Sequence, residues 1–338
     1  MRTGLIIGEF DPPHNGHMAL FKHASRKCNF LNIYVTDSDK NRSKRLKLED
    51  RVAVISEEIG TFPEHECVIT IIGEKVALPN SKHSCRSVSK MWADYLNRKF
   101  PNVTHIFSSE KYGDYLAEYM GIKSEIFDIN RKAVPVSSTD IHDHPFRYWE
   151  HIPASARRFY VKKVCVYGAE STGKSRLTKF LAKEFDTTYV PEIARTIMEE
   201  NGISLKELND EHFLSFAQNQ YFFIEKEIRK ANKILFCDTD NIITQGYSKF
   251  YLKKLVDGIS DYEIPYDLYL FLYPNVPFVQ DGIRNSTDRR TEMHSIFVRE
   301  LETRRNMGID IRYRMINKHE WIERNEQAVK YVKELMES

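Results

Sequence analysis

Hydrophobic residues in this chain form short apolar runs that alternate with longer segments in which apolar positions recur every three or four residues. Residues 31–36 are typical of the runs and have the length of a buried strand, whereas residues 48–59 have the spacing of an amphipathic helix. The alternation predicts a doubly wound α/β architecture with mainly parallel sheets. The other predicted strands are 4–8, 67–72, 103–108, 161–167, 187–190, 234–237, 268–273 and 311–316, and the other predicted helices are 87–99, 115–120, 175–185, 205–231 and 319–336.

This alternation starts twice along the chain. At 4–8 and again at 161–167, an apolar strand runs into a glycine-bearing loop and then a helix, as in the first βα unit of a parallel sheet. The chain has 338 residues, more than the ~250–300 at which one hydrophobic core usually stops growing. We therefore expect two domains, 1–144 and 161–338, with a proline-bounded, aromatic joint at 145–160.

Composition narrows the function classes. The 50 Lys and Arg residues and 48 Asp and Glu residues leave a net charge of +2, too little for a global field that grips a nucleic-acid backbone. We find no apolar run of 18 residues and no signal-peptide cleavage pattern. The five cysteines are scattered and odd in number. We expect a reduced, cytoplasmic protein that binds small molecules rather than nucleic acid or membrane, with homo-oligomerisation left open.

Two His-x-Cys pairs raise the question of a metal site. His65 and Cys67 form the first pair, and His83 and Cys85 form the second. Such side chains can ligate zinc, but their spacing matches no common zinc module. We leave metal binding by these four residues open.

The first chemical signal is the pattern G-x-F-x-P-x-H-x-G-H at residues 8–17. Gly8, at the strand end, lets a phosphate or ribose approach the backbone, and we assign Gly8 and Phe10 to nucleotide binding. His14 and His17 lie three residues apart at the start of a helix, so both imidazoles can face a triphosphate. Donors held there stabilise the charge on a transferring phosphoryl group, and we predict both histidines to be catalytic.

The second signal is a complete P-loop, G-x-x-x-x-G-K-[ST], at residues 168–175. It follows a predicted strand and precedes a predicted helix, the context that such a site requires. We predict that Lys174 reaches the β/γ oxygens of ATP and that the Ser175 hydroxyl binds Mg²⁺. The remaining predicted phosphate contacts come from Gly168, Ser171, Thr172 and Gly173.

Carboxylates follow two other strands of the second domain. Asp238 ends the run 234–237 and is our second Mg²⁺ ligand, with helix capping as the alternative. Asp240, two residues on, is expected at the same edge, and we assign it to substrate binding. Glu192 is a candidate base for a sugar hydroxyl or a sugar-binding group, and Arg195, three residues on, can reach the same site.

Residues 281–290 form a charged segment of the second domain, with the composition of a lid over the γ-phosphate. Its candidates for contacting transferring charge are Arg284 and Arg289, and the alternative for each is a surface salt bridge.

The pattern at 8–17 resembles the signature of the nucleotidylyltransferase superfamily, which implies a Rossmann-like first domain. A second motif of that family, [I/V]-S-x-T-x-x-R, corresponds to residues 136–142, which implies nucleotide contacts from Ser138 and Thr139. The chain departs from the motif at His142, which stands where the family has arginine and weakens the expectation of efficient transfer. By resemblance, Trp92 would stack on nicotinamide; alternatively it is a core aromatic residue.

The order of the two domains and the joint at 143–153 closely resemble the NadR family over roughly residues 3–335. The resemblance implies that the second domain phosphorylates nicotinamide riboside with ATP and Mg²⁺. The first domain would then join the mononucleotide to AMP from a second ATP, giving NAD⁺ and pyrophosphate. It also implies a member without the helix-turn-helix domain that some members carry, because the first motif begins at residue 8. The alternatives are a riboside kinase with a weak first domain and a nucleotide-sensing regulator.

Overall fold

The chain folds into two compact units, Met1–Tyr160 and Val161–Ser338. The computed structural model describes residues 1–37, 46–63, 67–79, 85–276 and 287–337. The predicted joint 145–160 falls inside the first unit, where the Ser155 hydroxyl donates to a Glu58 carboxylate oxygen at 2.7 Å. The aromatic character of this segment therefore reflects packing within that unit.

The first unit is built on a five-stranded parallel sheet with the strand order β3-β2-β1-β4-β5. Its strands are β1 (Thr3–Gly8), β2 (Phe30–Asp37), β3 (Val68–Lys75), β4 (His105–Ser108) and β5 (Lys123–Ile126). Its helices are α1 (Asn15–Ser25), α2 (Leu48–Ile59), α3 (Arg86–Lys99), α4 (Tyr112–Met120), α5 (Ser138–Asp143) and α6 (Ala154–Arg157), with a 3₁₀ turn at Trp149–His151.

Helices cover both faces of this sheet, as the alternation predicts. Ile6 packs with Phe21 of α1 on one face, and Leu5 packs with Leu96 of α3 on the other. Arg51 of α2 is fully buried and donates to the carbonyl of Thr36 at 3.0 Å and to that of Glu9. One guanidinium thus ties together the carboxyl ends of β1 and β2, where the first motif lies.

The second unit has its own five-stranded parallel sheet, in the order β10-β9-β6-β8-β7. Its strands are β6 (Lys162–Gly168), β7 (Tyr189–Val190), β8 (Ile234–Asp238), β9 (Leu268–Leu272) and β10 (Tyr313–Ile316). Its helices are α7 (Lys174–Glu184), α8 (Ile193–Asn201), α9 (Asp210–Glu227), α10 (Asn241–Tyr251), α11 (Thr287–Asn306) and α12 (Trp321–Glu337), with a 3₁₀ turn at Ile259–Tyr262. Two parallel-sheet α/β units confirm the predicted fold class.

Local chemistry explains where elements differ from the sequence prediction. The helix expected at 205–231 begins at Asp210, because the Asn209 side chain accepts the His212 amide hydrogen at 3.0 Å and caps it there. Strand β5 escapes prediction because it is four residues long and its first two residues are exposed, so it carries no apolar run. None of the helices in the described ranges combines the length and apolarity needed to cross a bilayer.

Candidate functional site

The carboxyl end of the first sheet opens into a cleft of about 870 Å³. The cleft gathers six residues that the two sequence motifs predict: Gly8, Phe10, His14, His17, Ser138 and Thr139. Two motifs more than 100 residues apart in sequence therefore share one cleft.

The two motif histidines are fixed by the backbone of α1. His14 caps the helix, with Nδ1 accepting the Gly16 amide hydrogen at 3.1 Å. The Nδ1 atom of His17 accepts the His14 amide hydrogen at 3.3 Å. Since a neutral imidazole carries its proton on the other nitrogen, both rings hold an Nε2–H donor. The pair is therefore ready to donate two hydrogen bonds to an anion.

Burial keeps these two rings uncharged. It lowers the pKa of His14 to about 3, with the positive charge of Arg131 acting in the same direction. Burial likewise lowers the pKa of His17 well below its ordinary value, helped by His14 and Arg131. The histidines therefore act at neutral pH as hydrogen-bond donors, and Arg131 supplies a positive charge to the cleft.

Arg131 is the functional candidate that sequence reasoning missed. It lines the cleft from a surface loop. The Asp128 carboxylate stabilises this loop by accepting the amide hydrogens of Lys132 at 2.7 Å and Ala133 at 3.0 Å. Asp128 and Arg131 both have positive φ values, 48° and 52°, so the loop turns sharply and brings the guanidinium to the cleft. No motif in the sequence marks this loop.

His142, which stands where the family motif has arginine, also lines the cleft. Its Nε2 atom lies 2.8 Å from the Asp11 carbonyl oxygen and donates to it. In the same motif, the Ser138 hydroxyl donates to the Pro12 carbonyl at 3.3 Å. The second motif is thus hydrogen-bonded to the loop of the first.

Trp92 corrects one prediction. Its ring is 3% exposed and packs in the core between α3 and the sheet, and its Nε1 donates to the Pro79 carbonyl at 2.9 Å. The ring does not line the cleft. The alternative, a core aromatic residue, is what the structure shows, because the helical spacing places Trp92 on the same buried face as Leu96.

Some predicted residues lie outside the described part of the chain. These are Arg284 and two members of the His-x-Cys pairs, His65 and His83. The other members, Cys67 and Cys85, are free thiols. Within the described ranges, no group of three or more His, Cys, Asp or Glu side chains could hold a metal ion.

In the second unit, the P-loop joins β6 to α7. Gly168 has a φ of +145°, and a Cβ atom there would lie 2.9 Å from the Leu272 carbonyl oxygen, so only glycine fits. Lys174 is buried, with Nζ donating to the Ala169 carbonyl at 3.1 Å, and the Thr172 hydroxyl donates to the same oxygen at 2.8 Å. The loop is therefore closed by its own side chains around the space for a phosphate.

Asp238 and Ser175 meet beside this loop. The Ser175 hydroxyl is hydrogen-bonded to the Asp238 carboxylate, whose Oδ1 is buried and has no partner among the described residues. Burial, together with the negative charge of Glu192, raises the pKa of Asp238 to about 6. A buried carboxylate oxygen without a partner, next to a hydroxyl, suits a divalent cation with oxygen ligands.

A pocket with an apolar floor adjoins the loop. Lys174, Glu192 and Arg195 contribute polar groups to its lining, and Phe213 contributes apolar surface. Glu170 of the P-loop also lines the pocket, and it accepts a hydrogen bond from the Tyr251 hydroxyl at 3.0 Å. The pocket can therefore hold a flat ring against aromatic side chains and a hydroxyl-bearing group near Glu192.

Asp240 and Arg289 do not join this pocket. Asp240 is buried and caps α10, accepting the Ile243 amide hydrogen at 2.9 Å, and burial raises its pKa to about 7. The predicted substrate contact from Asp240 is therefore corrected to helix capping. Arg289 lies over the Phe250 ring, with its guanidinium carbon 5.4 Å from the ring centroid.

Comparisons with known proteins agree with this two-site architecture. Residues 5–143 match the cytidylyltransferase-like family, and residues 163–324 match the AAA domain family. The trifunctional NAD biosynthesis/regulator protein NadR of Escherichia coli is 27% identical over 98% of this chain and 83% of its own length. The protein of the same name from Salmonella typhimurium is 29% identical over 85% of this chain and 73% of its own length.

Solved structures show the same fold. A crystal structure of NadR protein in complex with NR is 23% identical and superposes with a TM-score of 0.80 over 100% of this chain and 96% of that one. A second, in complex with NAD and AMP-PNP, gives a TM-score of 0.79 over the same shares at 23% identity. The two relatives confirm the predicted resemblance to NadR proteins over most of the chain, and the two structures confirm the fold.

Proposed function

We propose that the chain is an NAD salvage enzyme that catalyses two consecutive reactions. The second unit transfers the γ-phosphoryl group of ATP to the 5′-hydroxyl of nicotinamide riboside, giving the mononucleotide. The first unit joins that mononucleotide to the adenylyl group of a second ATP, giving NAD⁺ and releasing pyrophosphate. The NAD biosynthesis named for the two relatives, and the ligands NR, NAD and AMP-PNP of the related crystal structures, support this proposal.

The observation that carries the kinase step is the meeting of Lys174, Ser175 and Asp238 beside the pocket that Glu192 lines. Ser175 and Asp238 would hold Mg²⁺, which neutralises charge on the phosphates of ATP when bound. Lys174 binds the transferring phosphoryl oxygens. Glu192 accepts the proton of the attacking hydroxyl. Its negative charge contributes to the raised pKa of Asp238, so the two carboxylates lie close enough to serve one transfer.

In the adenylyl step, the groups of the first cleft stabilise charge without forming a covalent intermediate. A phosphate oxygen of the mononucleotide attacks the α-phosphorus of ATP, and the bond to the bridging oxygen of pyrophosphate breaks. The Nε2–H donors of His14 and His17, together with the charge of Arg131, bind the phosphate oxygens on which negative charge accumulates. Ser138 and Thr139 complete the lining from the second motif.

Isotope-traced incubation of the purified protein with riboside, ATP and Mg²⁺ tests the proposal, because it resolves mononucleotide from dinucleotide. We expect both products from the wild type. Lys174→Ala should stop riboside-dependent turnover and leave NAD⁺ formation from supplied mononucleotide intact, and His17→Ala should have the opposite effect. Riboside that fails to stimulate ATP consumption would contradict the kinase step and favour a nucleotide-sensing role.

One observation favours a second candidate, a riboside kinase with a weak first unit. His142 replaces the motif arginine, and its Nε2 donor is already used on the Asp11 carbonyl. The rate of NAD⁺ formation from mononucleotide and ATP distinguishes the candidates. A background rate that rises in His142→Arg would favour the kinase-only function.

We also propose that Mg²⁺ is the metal of the kinase step and that the reactions take place in the cytoplasm. All five cysteines are free thiols, as in a reducing compartment, which supports that location.

A further inference from the structure

We propose that Trp321, at the start of α12, is the platform on which the base of ATP stacks in the second unit. The inference rests on the proposed kinase function and adds to it the position of the nucleobase. The ligand class is a purine nucleoside triphosphate, recognised through the face of its ring system rather than through its edge.

The first support is the contact between Trp321 and the P-loop. A Cβ atom added to Gly173 would collide with the indole Cη2 and Cζ3 atoms of Trp321. The indole therefore rests directly on the backbone of the loop, on a glycine whose φ is +90°. Any nucleotide whose phosphates are bound by these backbone amides must pass close to this ring.

The second support is the direction that the acceptor pocket imposes on ATP. Glu170 and Lys174 line that pocket, so the γ-phosphate has to face it for transfer to occur. The nucleoside end of ATP must then lie on another side of the loop. Trp321 lies against Gly173 and beside Arg176 and does not line the acceptor pocket, so it offers an aromatic surface for the base.

The third support is the way in which two arginines hold the indole. Arg324, one turn further along α12, is 1% exposed and donates to the Tyr273 carbonyl at 3.2 Å, and its guanidinium carbon lies 5.4 Å from the Trp321 ring centroid. The guanidinium carbon of Arg176, which is exposed, lies 4.6 Å from that centroid. A buried cation thus fixes the ring, whereas the exposed one is free to yield to a base or to bind a phosphate.

Stacking of the base on Trp321 predicts which Michaelis constants change when this residue is replaced. Aromatic stacking on a base contributes roughly ten-fold or more to binding and tolerates changes at the base edge. In Trp321→Ala, we expect the KM for ATP in riboside phosphorylation to rise about ten-fold, with the KM for riboside little changed. Trp321→Phe should restore most of the affinity. GTP should serve the wild type nearly as well as ATP.

The deciding experiment measures two constants of the kinase reaction in the wild type and in Trp321→Ala. One is the KM for ATP, and the other is the inhibition constant of inorganic tripolyphosphate, which competes with ATP but has no base. If the ring binds the base, Trp321→Ala raises the KM for ATP and leaves the inhibition constant of tripolyphosphate unchanged. An equal loss for both would overturn the proposal, because it would mean that the ring only supports the loop; unchanged ATP affinity would overturn it as well. Ile322→Ala, which alters the neighbouring residue of α12, 73% exposed, is the matched control.

Further measurements distinguish a failure of the stacking proposal from misfolding of the variant and from a failure of the proposed kinase function. The KM for riboside and the far-UV circular dichroism spectrum of Trp321→Ala should equal those of the wild type, which shows that the second unit of the variant is folded. A wild type without riboside-dependent turnover would refute the proposed kinase function alone. Quenching of intrinsic fluorescence by ADP, present in the wild type and lost in Trp321→Phe, would then still support the platform, and equal quenching in both would overturn it.

Discussion

The imidazole ring of His17 stacks on that of His14, with ring centroids 3.6 Å apart and planes inclined by 24°. Two charged imidazoles could not lie so close without repulsion, but two neutral ones can. The stack thus depends on the low proton affinity that burial imposes on both rings. A triphosphate in the cleft would raise that affinity, so ATP binding to the first unit should be accompanied by proton uptake at acidic pH.

The proton affinity of His14 can be measured directly. Its pKa is lowered from 6.5 to about 3, so we expect its ring resonance in NMR spectra to stay constant from pH 8 to pH 5. The native state then binds fewer protons than the unfolded state below about pH 6.5, and the free energy of unfolding should fall as pH decreases through that range. A His14 resonance that titrates near pH 6.5 in the native protein, as it should in urea, would contradict this interpretation.

Removing the charge of Arg131 should affect only the first unit. In Arg131→Ala, we expect the KM for ATP in adenylyl transfer to rise about ten-fold, because a cation is lost beside the bound phosphates. Riboside phosphorylation should be unchanged, and the effect should shrink at high salt. Arg147→Ala, which removes an exposed arginine that does not line the cleft, is the control. Equal losses in both variants would argue against a phosphate contact.

The carboxylate of Asp238 should determine both the rate of riboside phosphorylation and its dependence on Mg²⁺. Since its pKa is raised to about 6, protons compete with Mg²⁺, and the Mg²⁺ concentration for half-maximal activity should increase as pH falls below that value. Asp238→Asn should reduce riboside phosphorylation by at least 100-fold, roughly the loss of an electrostatic stabiliser. The thermal unfolding transition of the variant is the control for folding of the second unit, and a kinase rate within ten-fold of the wild type in a folded Asp238→Asn would contradict this role.

Trp92→Phe distinguishes a core residue from a stacking partner. The variant loses the hydrogen bond to the Pro79 carbonyl and part of a buried ring, and we expect the free energy of unfolding to fall by about 1–2 kcal/mol. The KM for the mononucleotide in adenylyl transfer should stay within two-fold of the wild type. A large rise in that KM with unchanged stability would restore the stacking role.

Local signals in the sequence were sufficient where chemistry depends on spacing along the backbone. The P-loop needs glycine at 168 and 173 because of the φ values there. His14 and His17 meet because they are the N-cap and the third residue of α1, the two positions that a capping box joins. The alternation of runs predicted every strand of the two described sheets except β5. These features are encoded within about ten residues of each other, so they can be read without tertiary information.

The remaining site residues depend on tertiary structure. Asp238 and Asp240 are two residues apart and look equivalent in sequence, but Thr239, with a φ of +72°, breaks the regular alternation and separates their roles. Arg131 reaches the cleft because of a loop that Asp128 closes, and Trp321 reaches the P-loop from more than 140 residues away. Neither contact has a local signature.

The buried guanidinium of Arg51 has a consequence for how this cleft can change. Because it binds the carbonyls of Glu9 and Thr36 from a helix outside the cleft, the separation of two strand ends is set by the core rather than by the loops. Substitutions at lining positions such as Arg131 or His142 can therefore alter ligand preference while the backbone frame stays in place. Arg51 itself has no such freedom, so a redesign of the cleft should vary its walls and keep this one side chain.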